Sequence, residues 1–439
     1  MNNYIIILLL IFFFIIILNN ICKYYNTINL YEYFLLMTSL LLSNKGSEWN
    51  NKYYLNIKNL FNDPTSLYIH NKLRKKYGSY INIYIITLGR TKYILDTKLI
   101  RKIFNISPET KLLTAGLGKQ QFGNSFMKNN VAGVTGKNWK IKREFNEKSF
   151  DTKYYDKLSY NIINIINKNI DYPKNIAEFK NFAYTLCNNL IYGNKDSSLN
   201  LIKDFRKNYI NTGKNIYKCP FFNKYKNLSK NIKIDDTNIL KNFRKFNFDD
   251  KKIDLIDQIP HCIVPFIIMF SFLLPSLLII IYNFKNIKNK ILYEINNNVN
   301  IYSKHTYLHY FVIEHIRMFN PINLAGADRL VLQDFEIDGI KFKKGDNLFT
   351  TFTPIRFDSN IYNNPNLFIP ERWKNKTIDE QNEVFGIGPQ QCPSVNISPL
   401  IYKCLIIKFL KNKTYKLIRP IILYNNIIKI NPYDINFLI

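Results

Sequence analysis

The chain has 439 residues, 47% of them hydrophobic, which is enough for a large domain with a buried core. Its formal net charge is +29, but the basic residues are scattered among asparagine, isoleucine and tyrosine along the whole length and no nucleic-acid-binding motif is present, so we do not expect a nucleic-acid partner. The six cysteines are too sparse for a disulfide framework and are not spaced like a zinc site, so we expect a reducing compartment.

The N-terminal region contains an unbroken apolar run over residues 4–18, which Lys23 follows. With the next four residues included, the run reaches the length of about 17–25 residues that crosses a bilayer. Because the positive charge follows the run, we predict an uncleaved signal anchor over 1–22, single-pass and of the endoplasmic-reticulum type, with the body of the chain in the cytosol. Residues 23–60 are expected to form a membrane-proximal linker, whose apolar patch at 33–42 either lies on the bilayer surface or is a buried helix.

The next region predicts a helix over 67–78, which ends at Gly78. A strand over 80–86 and a returning strand over 93–95 should form a hairpin with its turn at Gly89-Arg90. A further helix is expected to begin at Thr97.

Residues 136–150 indicate a helix with a basic face. Trp139 and Arg143 are four residues apart, so they share one side of it. An arginine beside an indole N–H can bind carboxylates, and the alternative interpretation is an ordinary amphipathic helix. Further on, residues 259–284 carry no formally charged side chain and are a second candidate for a membrane span.

A helix from residue 304 to about 319 is predicted, with Ser303 as its N-cap. Glu314 and Arg317 lie three residues apart on one face, among apolar neighbours that indicate burial. A buried ion pair needs further hydrogen-bond partners. Arg372, in the sequence Phe-Ile-Pro-Glu-Arg-Trp, is the expected third member of this cluster.

The segment 385–394 reads Phe-Gly-Ile-Gly-Pro-Gln-Gln-Cys-Pro-Ser and presents Cys392 from a turn-rich loop before an apolar helix at 400–410. Backbone N–H groups and the dipole at a helix N-terminus lower the pKa of a thiol. A thiolate held in this way suits a soft metal, and haem iron is the leading candidate. The alternative is an inert loop cysteine.

Four motifs therefore occur in order between residues 136 and 394: Trp-x-x-x-Arg, Glu-x-x-Arg, Pro-Glu-Arg-Trp and Phe-x-x-Gly-x-x-x-Cys. In this order and combination they resemble the cytochrome P450 family. The resemblance implies a mainly α fold with small β-sheets, as a catalytic domain over 61–439 behind the anchor. It also favours a buried central helix over a membrane span at 259–284, because a span would put Arg143 and Cys392 on opposite sides of a membrane.

The same resemblance implies roles for individual residues. Cys392 would be the axial thiolate ligand of a haem, in a loop that includes Phe385 and Gly388. The haem propionates would be bound by Trp139, Arg143, Arg329 and Gln390. The cluster of Glu314, Arg317 and Arg372 would be structural.

Three positions depart from the family pattern. The central helix should hold an acid–alcohol pair for proton delivery, but the corresponding stretch is Pro265, Phe266, Ile267, Ile268, Met269 and Phe270. Gln390 stands where a basic propionate ligand is usual, and Ser394 stands where a glycine lets the next helix approach the porphyrin. We therefore expect weaker haem binding than in typical members, and Pro275 predicts a kink in the central helix.

Three functions remain open at this point. The first is a membrane-anchored monooxygenase that inserts one oxygen atom from O2 into a small apolar substrate, with electrons from an NADPH-dependent reductase. The second is a haem-thiolate enzyme that needs no O2 activation, such as a peroxide-using or rearranging enzyme. The third is a degenerate member that binds haem poorly and serves as a ligand-binding or structural membrane protein.

Overall fold

The computed structural model describes residues 16–43 apart from 21, 23 and 25, 67–120 apart from 86–87 and 118–119, 131–149, 155–168, 172–192, 199–204 apart from 201, 258–319, 328–412, and short strands between 416 and 438. Most of the predicted anchor over 1–22 lies outside these residues, as does the linker beyond residue 43. The chain divides into two compact units. The first comprises Met1–Gln120 with Ile322–Asp358, and the second comprises Gln121–Pro321 with Ser359–Ile439.

The described residues are mainly helical with small β-sheets, which confirms the predicted class. The helices are α1 Leu30–Ser43, α2 Leu67–Tyr77, α3 Thr97–Asn105, α4 Gly136–Ser149, α5 Tyr155–Lys168, α6 Ile176–Tyr192, α7 Pro260–Ile268, α8 Leu274–Asn283, α9 Lys285–Asn296, α10 Tyr307–Phe319, α11 Thr353–Arg356, α12 Ile378–Asn382 and α13 Ile397–Asn412. The strands are β1 Tyr80–Ile85, β2 Gly89–Ile94, β3 Leu113–Ala115, β4 Asp328–Val331, β5 Phe335–Ile337, β6 Ile340–Phe342, β7 Asn347–Phe349, β8 Lys416–Leu417, β9 Leu423–Tyr424, β10 Ile427–Ile428 and β11 Phe437–Leu438.

The first unit is built on a sheet with the strand order β1-β2-β7-β4-β3. The predicted hairpin is present, but its turn is not at Gly89-Arg90. Both residues belong to β2, where Gly89 pairs with Ile85 and Arg90 with Tyr84, and the Leu88 N–H donates to the Ile85 carbonyl at 2.9 Å. Gly89 has a φ of +70°, so it takes the left-handed backbone on which the chain leaves the turn and enters the strand.

Helices α1 and α2 pack against this hairpin and bury Leu36, Leu73 and Ile81. α1 covers the apolar patch at 33–42, and it is amphipathic, because Leu36 is fully buried whereas Phe34 is 58% exposed. Residues 30–43 of the predicted linker are therefore a helix that belongs to the first unit.

The second unit contains the central helix, defined here as residues 260–283. It consists of α7, a π-helical turn at Met269–Leu273, and α8. The stretch His261–Asn283 is long and apolar enough to cross a membrane, but 88% of its most apolar window is buried inside the protein. This burial favours the interpretation as a core helix.

The π turn lies directly before Pro275. In it the Leu274 N–H donates to the carbonyl of Met269, five residues back, instead of four. Proline has no N–H for the carbonyl four residues before it, which is that of Ser271, and its ring clashes with that carbonyl in a regular α-helix. The wider turn accommodates the ring, and a π turn of this kind is one of the recognised causes of a helix kink.

The helix α10 begins at Tyr307, so the prediction of Ser303 as its N-cap is wrong. The Ser303 hydroxyl instead accepts from the His305 N–H at 3.1 Å. The Glu294 carboxylate accepts from the N–H groups of Tyr307 and Leu308, at 2.6 and 2.8 Å. The Thr306 hydroxyl is the N-cap and accepts from the His309 N–H at 3.1 Å. The cap and the Glu294 carboxylate, which the exposed N–H groups and the helix dipole stabilise, together explain why the helix begins there.

Candidate functional site

The Glu314 carboxylate is the centre of a buried cluster at the end of α10. It accepts two hydrogen bonds from Arg317, at 2.9 and 2.8 Å, and one from the Nε of Arg372 at 3.0 Å. It also accepts from the Trp373 indole N–H and from the Ile369 backbone N–H, both at 2.9 Å. The structure thus brings together the three side chains that the sequence proposed, and adds the indole.

The remaining N–H groups of both arginines are directed at backbone carbonyls. Arg317 donates to Pro365 at 2.8 Å, and Arg372 donates to Asn363 at 2.7 Å. Arg317 and Glu314 are fully buried. A buried ion pair is tolerated when further hydrogen bonds satisfy the charges, and this cluster meets that condition. It joins α10 to the segment that leads into the cysteine loop.

The cysteine loop, defined here as residues 385–394, has a tightly hydrogen-bonded backbone. The Cys392 N–H donates back to the Phe385 carbonyl at 3.0 Å, and this bond closes the loop. Gly386 has a φ of +106° and Gly388 a φ of +71°, which are values that other residues rarely adopt. The Gln391 side chain donates to the Gly386 carbonyl at 2.9 Å and holds the loop from within.

The Cys392 side chain is half-buried, whereas Cys22, Cys187, Cys262 and Cys404 are buried. Its Sγ lies 3.0 Å from the hydroxyl of Ser394. The helix α13 starts five residues after Cys392, at Ile397. Among the described cysteines, Cys392 is therefore the accessible one and the one that precedes a helix.

A metal held at Cys392 would need ligands from a prosthetic group. Among the described residues, no group of three or more His, Cys, Asp or Glu side chains could hold a metal ion. A single thiol on a rigid loop fits the axial position of a haem, in which the porphyrin supplies the other ligands. The donor set at Cys392 thus fits haem.

Gln390 also fits a haem propionate. Its side-chain oxygen is buried and lacks a hydrogen-bond partner among the described residues. The two ends of a carboxamide are interchangeable by a 180° rotation, and the rotated group would offer a buried N–H donor at this point. A propionate oxygen is an acceptor that such a donor would satisfy.

The central helix meets α13 at the π turn. The Tyr402 hydroxyl donates to the Met269 carbonyl at 3.2 Å, and the Ser398 hydroxyl lies 3.6 Å from the Met269 sulfur. The predicted stretch 265–270 is apolar, and Phe266 stacks on Phe270 with ring centroids 5.7 Å apart. These residues supply no titratable side chain for proton delivery.

Two alcohols near this stretch bond to their own helix. The hydroxyl of Ser271 donates to the Ile267 carbonyl at 2.6 Å. The hydroxyl of Ser276 donates to the Leu273 carbonyl at 2.8 Å and lies 2.7 Å from Nε2 of His315. Cys262 is buried on the same helix, and burial raises its pKa to about 12, so it is a neutral thiol.

The remaining predicted cofactor residues are placed as follows. Trp139 and Arg143 share α4, where Trp139 is buried and the Arg143 Nε donates to Glu147 at 2.6 Å. Arg329 belongs to β4 of the first unit, where its guanidinium lies 4.4 Å from the centre of the Phe104 ring. Burial lowers the pKa of Arg329 to about 10, a value at which it is still charged near neutral pH. The contacts of these three residues with propionates remain predictions.

The sequence interpretation treated Ser394 only as a departure and did not consider Ser398. Ser398 lies one helical turn after Ser394, and the two hydroxyls are 3.0 Å apart. The spacing of four residues could have predicted this contact, because residues four apart lie on the same side of a helix. Trp373 was also missed as a donor to Glu314.

Comparison with known proteins matches one family over part of the chain. Residues 277–420 match the cytochrome P450 family, a stretch that includes both the Glu314 cluster and the cysteine loop but not Trp139 or Arg143. Similar curated proteins include cytochrome P450 82A2 of Glycine max, which is 32% identical over 125 residues, or 27% of this chain and 23% of that protein.

Two further relatives carry functional names. The 3-epi-6-deoxocathasterone 23-monooxygenase CYP90C1 of Arabidopsis thaliana is 35% identical over 91 residues, or 20% of this chain and 17% of that protein. The C-22 sterol desaturase ERG5 of Candida albicans is 27% identical over 123 residues, or 27% of this chain and 23% of that protein. Each of these matches spans less than a quarter of the relative's own length.

Proposed function

We propose that this chain is a divergent member of the cytochrome P450 family and a haem-thiolate oxidoreductase with Cys392 as the axial ligand, because residues 277–420 match that family. The family holds haem through a cysteine thiolate. The observation that carries the proposal is the half-buried Cys392 thiol on a loop whose backbone closes on itself between Phe385 and Cys392.

The residues of the second unit have distinct tasks in this proposal. The cysteine loop holds the thiolate at a fixed position, because its backbone bonds leave little freedom at Cys392. The cluster of Glu314, Arg317 and Arg372 stabilises the segment that leads into the loop. Gln390, with its carboxamide rotated, would donate a hydrogen bond to a propionate.

The proposed reaction is monooxygenation of a small apolar substrate. A haem with a thiolate ligand supplies O2 activation, because the thiolate favours O–O cleavage. Trp139, Arg143 and Arg329 are proposed to bind the propionates. Electrons would come from an NADPH-dependent reductase docking on basic groups near the cysteine. Lys304 supports such a surface, because it donates to Asn396, four residues beyond Cys392, at 2.6 Å.

The proposed location is a membrane. The apolar run at 4–18 supports a single-pass anchor of the endoplasmic-reticulum type, with the catalytic domain in the cytosol. The exposed aromatic side chains of α1, Tyr31 and Phe34, would suit an interface with lipid.

One observation favours a second candidate, a haem-thiolate enzyme that needs no O2 activation. The central helix offers apolar side chains at 265–270 where the family has an acid–alcohol pair, and the nearby Ser271 hydroxyl donates to its own helix. Proton delivery to O2 needs a positioned titratable group or a chain of water molecules. A peroxide-using or rearranging enzyme has no need of that delivery.

The test of thiolate ligation is the difference spectrum of the reduced, carbon monoxide-bound protein. We expect a strongly red-shifted Soret band in the wild type and its loss in Cys392→Ala. Cys404→Ala is a matched control, because Cys404 is a buried thiol on α13, and it should keep the band. A wild type that binds no haem would contradict the proposal and leave the degenerate, non-catalytic member as the explanation.

The test between the two enzymes is the source of oxidising equivalents. Turnover that depends on NADPH and a reductase supports the monooxygenase. Turnover with hydrogen peroxide alone, or a redox-neutral rearrangement, supports the second candidate.

A further inference from the structure

Two serine side chains form a hydrogen-bonded chain that ends at the Cys392 sulfur. The Ser394 hydroxyl lies 3.0 Å from Sγ of Cys392, and the Ser398 hydroxyl lies 3.0 Å from the Ser394 hydroxyl. Cys392 and Ser394 are both partly buried, and Ser398 is only 2% exposed. The contact at the sulfur is well inside the range for a hydrogen bond that involves sulfur.

The direction of the bonds follows from the protons that are present. In the proposed function Cys392 is a thiolate, which has no proton and can only accept, so Ser394 donates its single hydroxyl proton to the sulfur. The Ser394 oxygen then accepts the proton of Ser398, which lies 3.0 Å from this oxygen and 3.6 Å from the Met269 sulfur. Each donation polarises the next, so the outer hydroxyl strengthens the bond at the sulfur.

The usual task of a serine before a helix is a different one. A serine N-cap accepts from a backbone N–H two or three residues later. The hydroxyl of Ser394 is instead directed at the side chains of Cys392 and Ser398, while its carbonyl accepts the Ser398 N–H at 2.9 Å. The geometry therefore favours a hydrogen bond from the Ser394 hydroxyl to the Cys392 sulfur over a helix cap.

We propose that Ser394, assisted by Ser398, donates a hydrogen bond to the Cys392 thiolate and so weakens its electron donation to a bound haem iron. This inference rests on the function proposed above. Hydrogen bonds to a ligand atom are one of the means by which a protein sets the reduction potential of its iron. Ser394 is thus a positioning residue whose hydroxyl raises the potential. The departure from glycine at this position has a chemical consequence beyond steric crowding.

The test is the ferric–ferrous midpoint potential of the haem-loaded full-length protein, measured by spectroelectrochemical titration. We expect Ser394→Ala and Ser394→Gly to disfavour reduction by roughly threefold to tenfold, where tenfold is about 59 mV for one electron. The Fe–S stretching frequency, measured by resonance Raman scattering, should rise in both. Ser398→Ala should shift the potential in the same direction by a smaller amount.

Two further variants separate this effect from a general disturbance. Ser394→Thr keeps a hydroxyl and should keep the wild-type potential. Ser107→Ala removes a serine cap in the first unit, where the Ser107 hydroxyl accepts from the Glu109 N–H, and it should change neither readout.

The outcomes distinguish the inference from the proposed function. If the wild type shows the thiolate spectrum but Ser394→Ala keeps its potential and its Fe–S frequency, the inference is wrong and the proposed function stands. If Ser394→Thr behaves as Ser394→Ala does, the hydroxyl is not responsible. If the wild type binds no haem, both fail together.

Discussion

The Glu314 carboxylate accepts hydrogen bonds from four different residues. Two arginines, an indole and a backbone N–H all donate to it, and its exposure is 0%. Its negative charge compensates two guanidinium groups, of which Arg317 is also fully buried. Removal of that charge would leave buried positive charge without a counterion.

We expect Glu314→Gln to lower the free energy of unfolding by about 3–5 kcal/mol, the range for breaking a buried ion pair from one side. Glutamine keeps the size of the side chain but removes its charge. The measurement is urea unfolding of the purified protein.

Asp338→Asn is the matched control for this substitution. Asp338 pairs with Lys102 on the surface, where both side chains are 53% exposed, and such a pair contributes about 0–1 kcal/mol. Asp338 has a φ of +52°, a conformation that asparagine tolerates. If both variants lowered the free energy of unfolding equally, the buried cluster would contribute no more to stability than an exposed ion pair.

His309 is a buried imidazole beside positive charges. Its Nε2 lies 3.1 Å from the carboxamide oxygen of Gln381, and its exposure is 2%. Burial, together with the charges of Lys403 and Lys304, lowers its pKa from 6.5 to about 3. The folded protein therefore keeps His309 neutral at pH values where the unfolded chain protonates it.

The wild type should accordingly lose stability as the pH falls from about 6.5 to about 3. In this window the unfolded state binds one more proton than the folded state at this position, so acid favours unfolding, by roughly a few kcal/mol in total. His309→Gln removes the titration and should flatten the acid side of the stability profile, measured by urea unfolding at a series of pH values. His70, whose pKa burial lowers to about 4, is present in both proteins and leaves a common residual slope. If the stability of the wild type and of His309→Gln fell in parallel with pH, His309 would not be the group that titrates.

At the scale of elements, the central helix depends on its contact with α13. In the π turn at Met269–Leu273 the Met269 carbonyl accepts from the Leu274 N–H, and the Tyr402 hydroxyl donates a second hydrogen bond to the same carbonyl. Tyr402 is fully buried, which raises the pKa of its phenol well above the usual value and keeps the group protonated as a donor. The hydroxyl thus supports the turn that Pro275 requires.

Tyr402→Phe should lower the free energy of unfolding by about 0.5–1.5 kcal/mol, because it removes one of the two hydrogen bonds to the Met269 carbonyl and keeps the packing of the ring. Thermal or urea unfolding checks the change. Tyr293→Phe is the matched control, because Tyr293 is 71% exposed and should change stability by less than about 0.5 kcal/mol. An equally stable Tyr402→Phe protein would mean that the π turn needs no support from α13.

At the scale of the molecule, haem binding and folding are coupled. A haem that binds the folded protein and not the unfolded chain would stabilise the fold by mass action.

Addition of haem should therefore raise the unfolding midpoint of the wild type. At a free haem concentration 100-fold above the dissociation constant, the expected gain is about 2.7 kcal/mol. Cys392→Ala should gain less at the same concentration, because it lacks the axial ligand. Thermal unfolding with and without haem measures both, and an equal gain in the two proteins would indicate nonspecific binding.

Much of the architecture was predictable because it depends on neighbours in sequence. The helix limits at Tyr77 and Ser149 and the hairpin strands follow from apolar periodicity and glycine. The turn of the hairpin and the start of α10 were predicted wrongly. Both depend on which of several hydrogen-bond partners is used, and at the start of α10 these are the nearby Thr306 hydroxyl and the Glu294 carboxylate of another helix.

The sequence by itself indicated the resemblance to the cytochrome P450 family, the Cys392 loop and the members of the Glu314 cluster, since motif spacing and residue chemistry are properties of the chain alone. Only the tertiary structure decided that Trp373 completes the cluster, that α13 supports the π turn through Tyr402, and that two serines form a chain of hydroxyls ending at the Cys392 sulfur. Hydrogen bonds depend on distances of a few tenths of an ångström, and such distances exist only after the chain has packed.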